Sequence, residues 1–399
     1  MHRVRLDDLS RHTKHVNLRA AIDIQGVRVA PVTKLRVLGI WVDNKLRWGP
    51  HIRIVEQRGK ALVASLGRLS GSTWGANFAR CRQIYTAVIR PTLTYGCRIW
   101  AAGEKEKPPP SSLLFPLEKV QNSALRAITG TYKRTPIAIL EREADIEPLP
   151  LYIRGQAMTQ AYSASDNQGE HTVKQACNTI WRTHRNRRGR ARRRNLTPQE
   201  HLYLEASKVV TTVGQDHSET SSSQPHATGK QFHHWKQWHW KEKWEAYTSN
   251  PARSGHHMPA LFTPWQTVIP KLHRNLSRPQ SSLASLLRSG VAGFNDFLFK
   301  IKVPGVDTPS CPCCGWPTQH AKHVVIHCPA YGAGRQEMWH EAGTDDYNSM
   351  LQTEKGITAC TRWALKQGIL QQFHFAREML NEEEEGLEFV RITNNREAW

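Results

Sequence analysis

Four residues in one short window have the types and spacing of a metal site. Cys311 and Cys314 form C-x2-C, and His323 and Cys328 form H-x4-C a few residues later. Paired soft and borderline ligands on two short turns suit one tetrahedral Zn2+, and four protein ligands leave no open position for a reacting water, so the ion is expected to be structural. Cys313, His320 and His327 lie in the same window and compete for the ion, although adjacent Cys313 and Cys314 would chelate poorly together, which favours Cys311 with Cys314. The other cysteines, Cys81, Cys97, Cys177 and Cys360, are scattered, a distribution that points to ligation rather than a disulfide framework. A zinc deaminase would need H-x-E followed by P-C-x-x-C. His217 and Glu219 spell the first part, but they stand far upstream and Ser310, not proline, precedes Cys311.

Turn chemistry at Gly315 and Pro317, and the apolar run Val324 to Ile326, predict a short helix carrying His323. Upstream, residues 21–30 and 35–42 are β-branched runs separated by Pro31 to Lys34 and read as one short β-hairpin. From Ile52 the period becomes helical, with Ile52, Val55, Leu62, Leu66 and Leu69 on one stripe. A second helix is expected over Ala76 to Arg90, with Phe78, Cys81, Tyr85 and Val88 inward and Pro91 ending it. A third is expected over Leu117 to Thr129, with Leu117, Val120, Ala124 and Ile128 inward and Gly130 as C-cap. Residues 105–112 read as a proline-stiffened loop. Further helical patterns run from Leu272 to Ile301, broken at Gly290 and Gly293, and from Thr358 to Leu380, before the acidic run Glu382 to Glu385.

Lys plus Arg total 55 against 34 Asp plus Glu, a net charge of +21, which selects for a polyanionic partner. Eight arginines fall within residues 182–194, and residues 212–230 are almost devoid of apolar side chains, as in a linker. That arginine run reads as a nuclear localisation signal, an RNA-binding arm or a solvated linker. Trp235, Trp238, Trp240 and Trp244, interleaved with lysines, either stack on bases or pack a core. No run of about 18 apolar residues occurs and Met1 is followed by His2, Arg3 and Arg5, so a soluble intracellular protein is expected, with neither membrane nor small-molecule substrate as partner.

Several segments, in this order, resemble the C-terminal part of non-LTR (LINE-type) retrotransposon reverse transcriptases, most of all their fungal branch. They are RVLGIWVDNKLRWGPHI (36–52), YTAVIRPTLTYGCRIW (85–100), LEKVQNSALRAITGTYKRTP (117–136), LEREADIEPLPL (140–151) and SSLASLLRSGVAGFNDFL (281–298), leading into CPCCGWPTQHAKHVVIHC (311–328). Together with the patterns above, the resemblance predicts a mainly α fold: a palm-end β-hairpin remnant (1–48) and a helical thumb-like domain (49–165), as the family implies, then a largely disordered basic and polar linker (166–232), a Trp-rich helical module (233–305), a CCHC zinc knuckle (306–335), and a C-terminal helix with an acidic tail (336–399). It also implies that Arg53, Arg58, Lys60, Arg68, Arg80 and Arg82 contact phosphates of retroelement RNA or target DNA. Arg187, Arg188, Arg190, Arg192, Arg193 and Arg194 would add a non-specific arm. The place of action would be the nucleus or a cytoplasmic ribonucleoprotein.

Polymerisation in such enzymes needs carboxylates binding two Mg2+ ions, two of them on an aromatic-x-Asp-Asp hairpin. Asp345 with Asp346, and Asp7 with Asp8, lack that setting, and Asp43 stands alone. Residues 166–232 are too short and polar for an RNase H domain. The expectation is therefore a truncated derivative that binds nucleic acid without catalytic residues. The alternative is a mis-delimited portion of an active RNA-directed DNA polymerase.

Overall fold

Two tight turns shape the N-terminal strands. In a computed structural model, which describes residues 22–101, 110–166, 202, 204–210, 225–250 and 258–378, strand β1 (Ile22–Ile24) pairs antiparallel with β2 (Val27–Val29), and β3 (Lys34–Val37) with β4 (Ile40–Asp43). Ile24 opposes Val27, and Val37 opposes Ile40. Each two-residue turn needs two left-handed residues, supplied by Gln25 and Gly26 (φ 50° and 79°) and by Leu38 and Gly39 (45° and 85°). The single hairpin expected across Pro31 is therefore two hairpins, because each apolar run carries its own X-Gly reversal. Ile24, Val27, Val29, Leu35 and Val37 are all exposed.

The Asp43 carboxylate then organises the approach to the first helix. It accepts hydrogen bonds from the backbone N–H groups of Lys45, Arg47 and Trp48, at 3.1, 3.1 and 2.7 Å. Burial acts to raise its pKa, but these bonds together hold the carboxyl below its ordinary value. Helix α1 (Gly49–Leu69) follows. The chain divides into two compact units between Ile54 and Val55.

In the larger unit, α1 buries Val55 and Leu66, whereas Leu69, expected on the same stripe, is 56% exposed. At Gly59 the helix comes so close to its neighbours that a Cβ would lie 2.5 Å from the Leu93 side chain and 3.0 Å from that of Val120. Helix α2 (Phe78–Ile84) is capped by the Asn77 side chain, which accepts from Arg80 N at 3.0 Å. It does not stop before Pro91 but passes through a π turn, Tyr85–Ile89, into Arg90–Leu93. The extra residue in that turn shifts the phase, so Ile89 and Leu93 point inward and Val88 is 45% exposed. Helix α3 (Ser111–Thr129) starts earlier than expected and tolerates Pro116 near its beginning; its inward residues and the left-handed Gly130 cap are as the periodicity predicts.

Helices α4 (Ile137–Ala144) and α5 (Leu149–Asp166) follow. Residues 204–210 within the expected linker are helical, and Glu205 is ion-paired with Arg154 of α5. Helix α6 (Pro225–Thr248) packs along α5 and divides its tryptophans: Trp240 and Trp244 are buried, with Trp240 edge-on to Trp265 at 5.2 Å, while Trp238 is exposed. Helix α7 (Arg278–Ser289) opens with a capping box of Ser277 and Gln280 and ends at left-handed Gly290. Helices α8 (Arg335–Ala342) and α9 (Glu354–Lys366) close the core around it. The long C-terminal helix expected from Thr358 to Leu380 breaks after Lys366, where Gly368 and Leu370 both take positive φ.

Three buried arginines tie the early helices to the late ones. Arg278 donates to Gly71 O, in the turn after α1, at 2.7 Å, and to Ile128 O and Ala127 O, both at 2.6 Å, carbonyls left open at the end of α3. Arg288 grips the Glu143 carboxylate with bonds of 2.8 to 3.0 Å and also donates to Leu351 O, with both partners of the ion pair essentially solvent-free. Arg142 donates to Pro264 O, Trp265 O and Thr267 O. Segments expected as separate modules, the thumb-like 49–165, the Trp-rich 233–305 and the knuckle 306–335, thus share, from Val55 onward, one unit.

Candidate metal centre and basic residues

The knuckle is built from two turns facing each other. Gly315, at φ 70°, lets the chain reverse so that Gly315 N–H reaches Cys311 O at 2.9 Å and Cys311 N–H reaches Trp316 O at 2.8 Å. On the other side a π turn, His323–His327, closes with Cys328 N–H on His323 O at 2.8 Å. That wider turn brings His323 and Cys328 to the same side. The expected short helix around Val324 is this turn.

The ligand atoms of Cys311, Cys314, His323 and Cys328 all lie within 4.8 Å of one another. Cys328 Sγ is 3.8 Å from both Cys311 Sγ and Cys314 Sγ, and Cys314 Sγ is 3.3 Å from His323 Nε2. Zinc–sulfur bonds of about 2.3 Å at tetrahedral angles separate two sulfurs by about 3.8 Å. The cluster therefore can hold one metal ion, in a geometry consistent with zinc. Burial, with the neighbouring thiols against it, pushes the Cys328 thiol up to about 12.

The competing residues are turned to other tasks. Cys313 is exposed and its thiol faces Tyr331 Oη, His320 Nδ1 accepts from His323 N–H at 3.2 Å, and His327 is exposed. Two residues around the centre escaped the sequence reading. The Trp316 ring stacks on the His323 imidazole, 5.5 Å between centroids and 14° from parallel, and orients it. Buried Arg335 donates to Cys328 O at 2.7 Å and Val324 O at 3.2 Å, with its guanidinium 5.6 Å from the Trp363 ring. Trp316 was visible between the ligands, whereas a lone arginine opening a helix gives no pattern. Apolar packing also anchors the knuckle, because Ala321, Val324 and Val325 belong to the same hydrophobic cluster as α7 and α9.

The expected phosphate contacts have unlike surroundings. Arg53, Arg58, Arg68 and Arg80 are exposed, without a carboxylate partner among the described residues; Arg68 donates to Ser65 and Arg80 to Gln83. Lys60 pairs with Glu56 at 2.6 Å. Arg82 is committed internally, donating to Ala144 O and Asp145 O at 2.8 Å and to the Asp145 carboxylate at 3.2 Å. Arg187, Arg188, Arg190, Arg192, Arg193 and Arg194 lie outside the described residues. Asp346 caps a short helix by accepting from Ser349 N–H at 2.7 Å. Among the described residues no helix is long and apolar enough to cross a membrane.

No protein-family model matches the chain, and no solved structure does. Curated proteins of Drosophila melanogaster do. A probable RNA-directed DNA polymerase from transposon BS is 32% identical over 28% of this chain, and one from transposon X-element 27% identical over 27%. A putative 115 kDa protein of type-1 retrotransposable element R1DM is 22% identical over 75%. The chain spans 12%, 11% and 24% of those proteins' lengths, respectively. These insect relatives lend no support to a fungal affinity. At low identity, and over part of each relative, the chain is related to retrotransposon RNA-directed DNA polymerases.

Proposed function

We propose that this chain corresponds to the thumb and zinc-knuckle portion of a retrotransposon reverse transcriptase and holds RNA or DNA by its phosphates. The observation that carries the reading is the set of exposed arginines on α1 and α2, Arg53, Arg58, Arg68 and Arg80, with no carboxylate partner among the described residues. Together with the net charge of +21, they offer sequence-independent contacts to a strand. Zn2+ held by Cys311, Cys314, His323 and Cys328 serves as a structural ion that fixes the knuckle. Filter binding of the full chain to single-stranded RNA, single-stranded DNA and duplex across a salt series tests this. Affinity should fall steeply with salt, and Arg58→Gln with Arg68→Gln should lower the slope of the log–log plot by about one for each phosphate that is no longer neutralised. Absence of salt-dependent binding to all three would end the proposal.

A second reading, a portion of an active RNA-directed DNA polymerase, is favoured by the much greater length of the relatives. An in-frame Asp-Asp hairpin in the DNA immediately upstream of the Met1 codon would decide for it. The arginine run 182–194 supports action in the nucleus, checked by whether a fluorescent fusion leaves the nucleus when those arginines are replaced.

A further inference from the structure

The turn that joins α1 to α2 is tied down from two sides. Within it, Gly71 N–H donates to Trp74 O at 3.0 Å, Ala76 N–H to Leu69 O at 3.1 Å, and Ser70 Oγ to Ala76 O at 2.8 Å. From α7, Arg278 Nε donates to Gly71 O at 2.7 Å. On this braced turn stands Trp74, 55% exposed. A Cβ at Gly71 would lie 2.5 to 3.0 Å from Nε1, Cε2 and Cδ1 of the indole, so the five-membered ring lies against the Gly71 backbone. Leaving so large an apolar side chain in water forgoes the stabilisation that its burial would give. Trp238 and Trp316 are about as exposed, and both rings are engaged. Trp316 stacks on His323 in the metal centre, and Trp238 meets the His239 ring edge-on at 4.6 Å, with His239 bonded in turn to the Glu242 carboxylate at 3.3 Å.

The charges that flank Trp74 are of one sign. Arg68, in the last turn of α1, donates to Ser65 Oγ at 2.8 Å, and Arg80, in the first turn of α2, donates to Gln83 Oε1 at 3.3 Å. Both partners are neutral, so each guanidinium keeps its charge. A firmly held aromatic ring between two such cations suits a ligand in which planar faces alternate with negative charges, the repeat of a nucleic-acid strand. We infer that Trp74 is a stacking platform for an unpaired base, with Arg68 and Arg80 on the phosphates beside it. The inference rests on the nucleic-acid reading above and narrows it to single strands. A projecting ring can meet the face of an unpaired base, whereas bases inside a duplex are covered on both faces.

Fluorescence anisotropy of the full chain with a labelled oligouridylate, and with a long labelled RNA duplex, tests it across a salt series. Trp74→Ala should weaken single-strand binding about tenfold, the effect expected for one lost base stack, and leave duplex binding nearly unchanged. The slope of log affinity against log salt should stay as it was, because no phosphate contact is removed. Trp74→Tyr should keep most of the affinity, and Trp74→Leu, apolar but without a π face, should lose as much as alanine does. Gly71→Ala should weaken the single strand although the tryptophan is still present, since the added methyl displaces the indole. Trp238→Ala should change nothing. Unaltered single-strand affinity in Trp74→Ala, full affinity in Trp74→Leu, an equal loss in Trp238→Ala, or equal losses on duplex would overturn the stack while leaving general nucleic-acid binding intact. Failure of the unmodified chain to bind either oligomer would overturn both.

Discussion

His273 shows how far a single side chain can be committed to the interior. Its imidazole stacks on Phe78, 4.1 Å between centroids and 8° from parallel, and neither ring nitrogen has a hydrogen-bond partner. Burial, reinforced by Arg288 and Arg278, pushes its pKa down to about 3. Because the folded value lies below the unfolded one, the unfolded chain takes up the proton first. The stabilisation is whole above pH about 6.5 and is lost progressively as pH falls from there toward 3, at about 1.4 kcal/mol per unit. Urea unfolding at pH 7 and pH 5 should show a loss of about 2 kcal/mol from this group, and His273→Phe, which keeps the stack, should remove that part of the pH dependence. An unchanged pH dependence in His273→Phe would show that the ring already accepts a proton in the folded state.

At the scale of elements, what could be read ahead was what repeats locally. The inward face of α3 and its Gly130 cap followed from the helical period, and the ligand pairs of the knuckle followed from their spacing. The π turn did not, since one inserted residue moves the inward position from Val88 to Ile89 without leaving a mark in residue types. Long-range pairings were equally hidden: Arg82 reads as a surface cation, yet it satisfies carbonyls at the end of α4, and Arg278 does the same for α3. Gly130 joins both levels. Its φ is 68°, and a Cβ there would lie 2.1 Å from Ser282 Oγ of α7, so Gly130→Ala combines a disfavoured backbone with a collision. It should lower stability by about 2 kcal/mol or more, read as a shift in the chemical-denaturation midpoint. A tolerated alanine would mean that α3 and α7 can separate without loss.

For the molecule as a whole, the docking of the knuckle changes what removing the metal should do. A tethered zinc module loses only itself when the ion is withdrawn. Here Val324 and Val325 are fully buried in the cluster that also holds Leu283, Leu287 and Trp363, and Arg335 reaches from α8 to carbonyls of the knuckle. Loading the full chain with Zn2+ and then chelating it should therefore lower the cooperative unfolding transition, and amide protection in α7 and α9 should fall together with that of 311–328. Cys314→Ser should give the same result without a chelator. If only residues 311–328 lost protection, the knuckle would be an independent module after all.

The same docking bears on ancestry. A knuckle on a tether is a cassette, which recombination can excise from one gene and splice into another with its fold intact. This one would leave with its apolar underside uncovered and would strip α8 of the carbonyls Arg335 holds. Exchange of parts between mobile elements should therefore carry the knuckle together with α7 through α9, and these with the α3 and α4 that Arg278 and Arg288 hold, as a single inherited block.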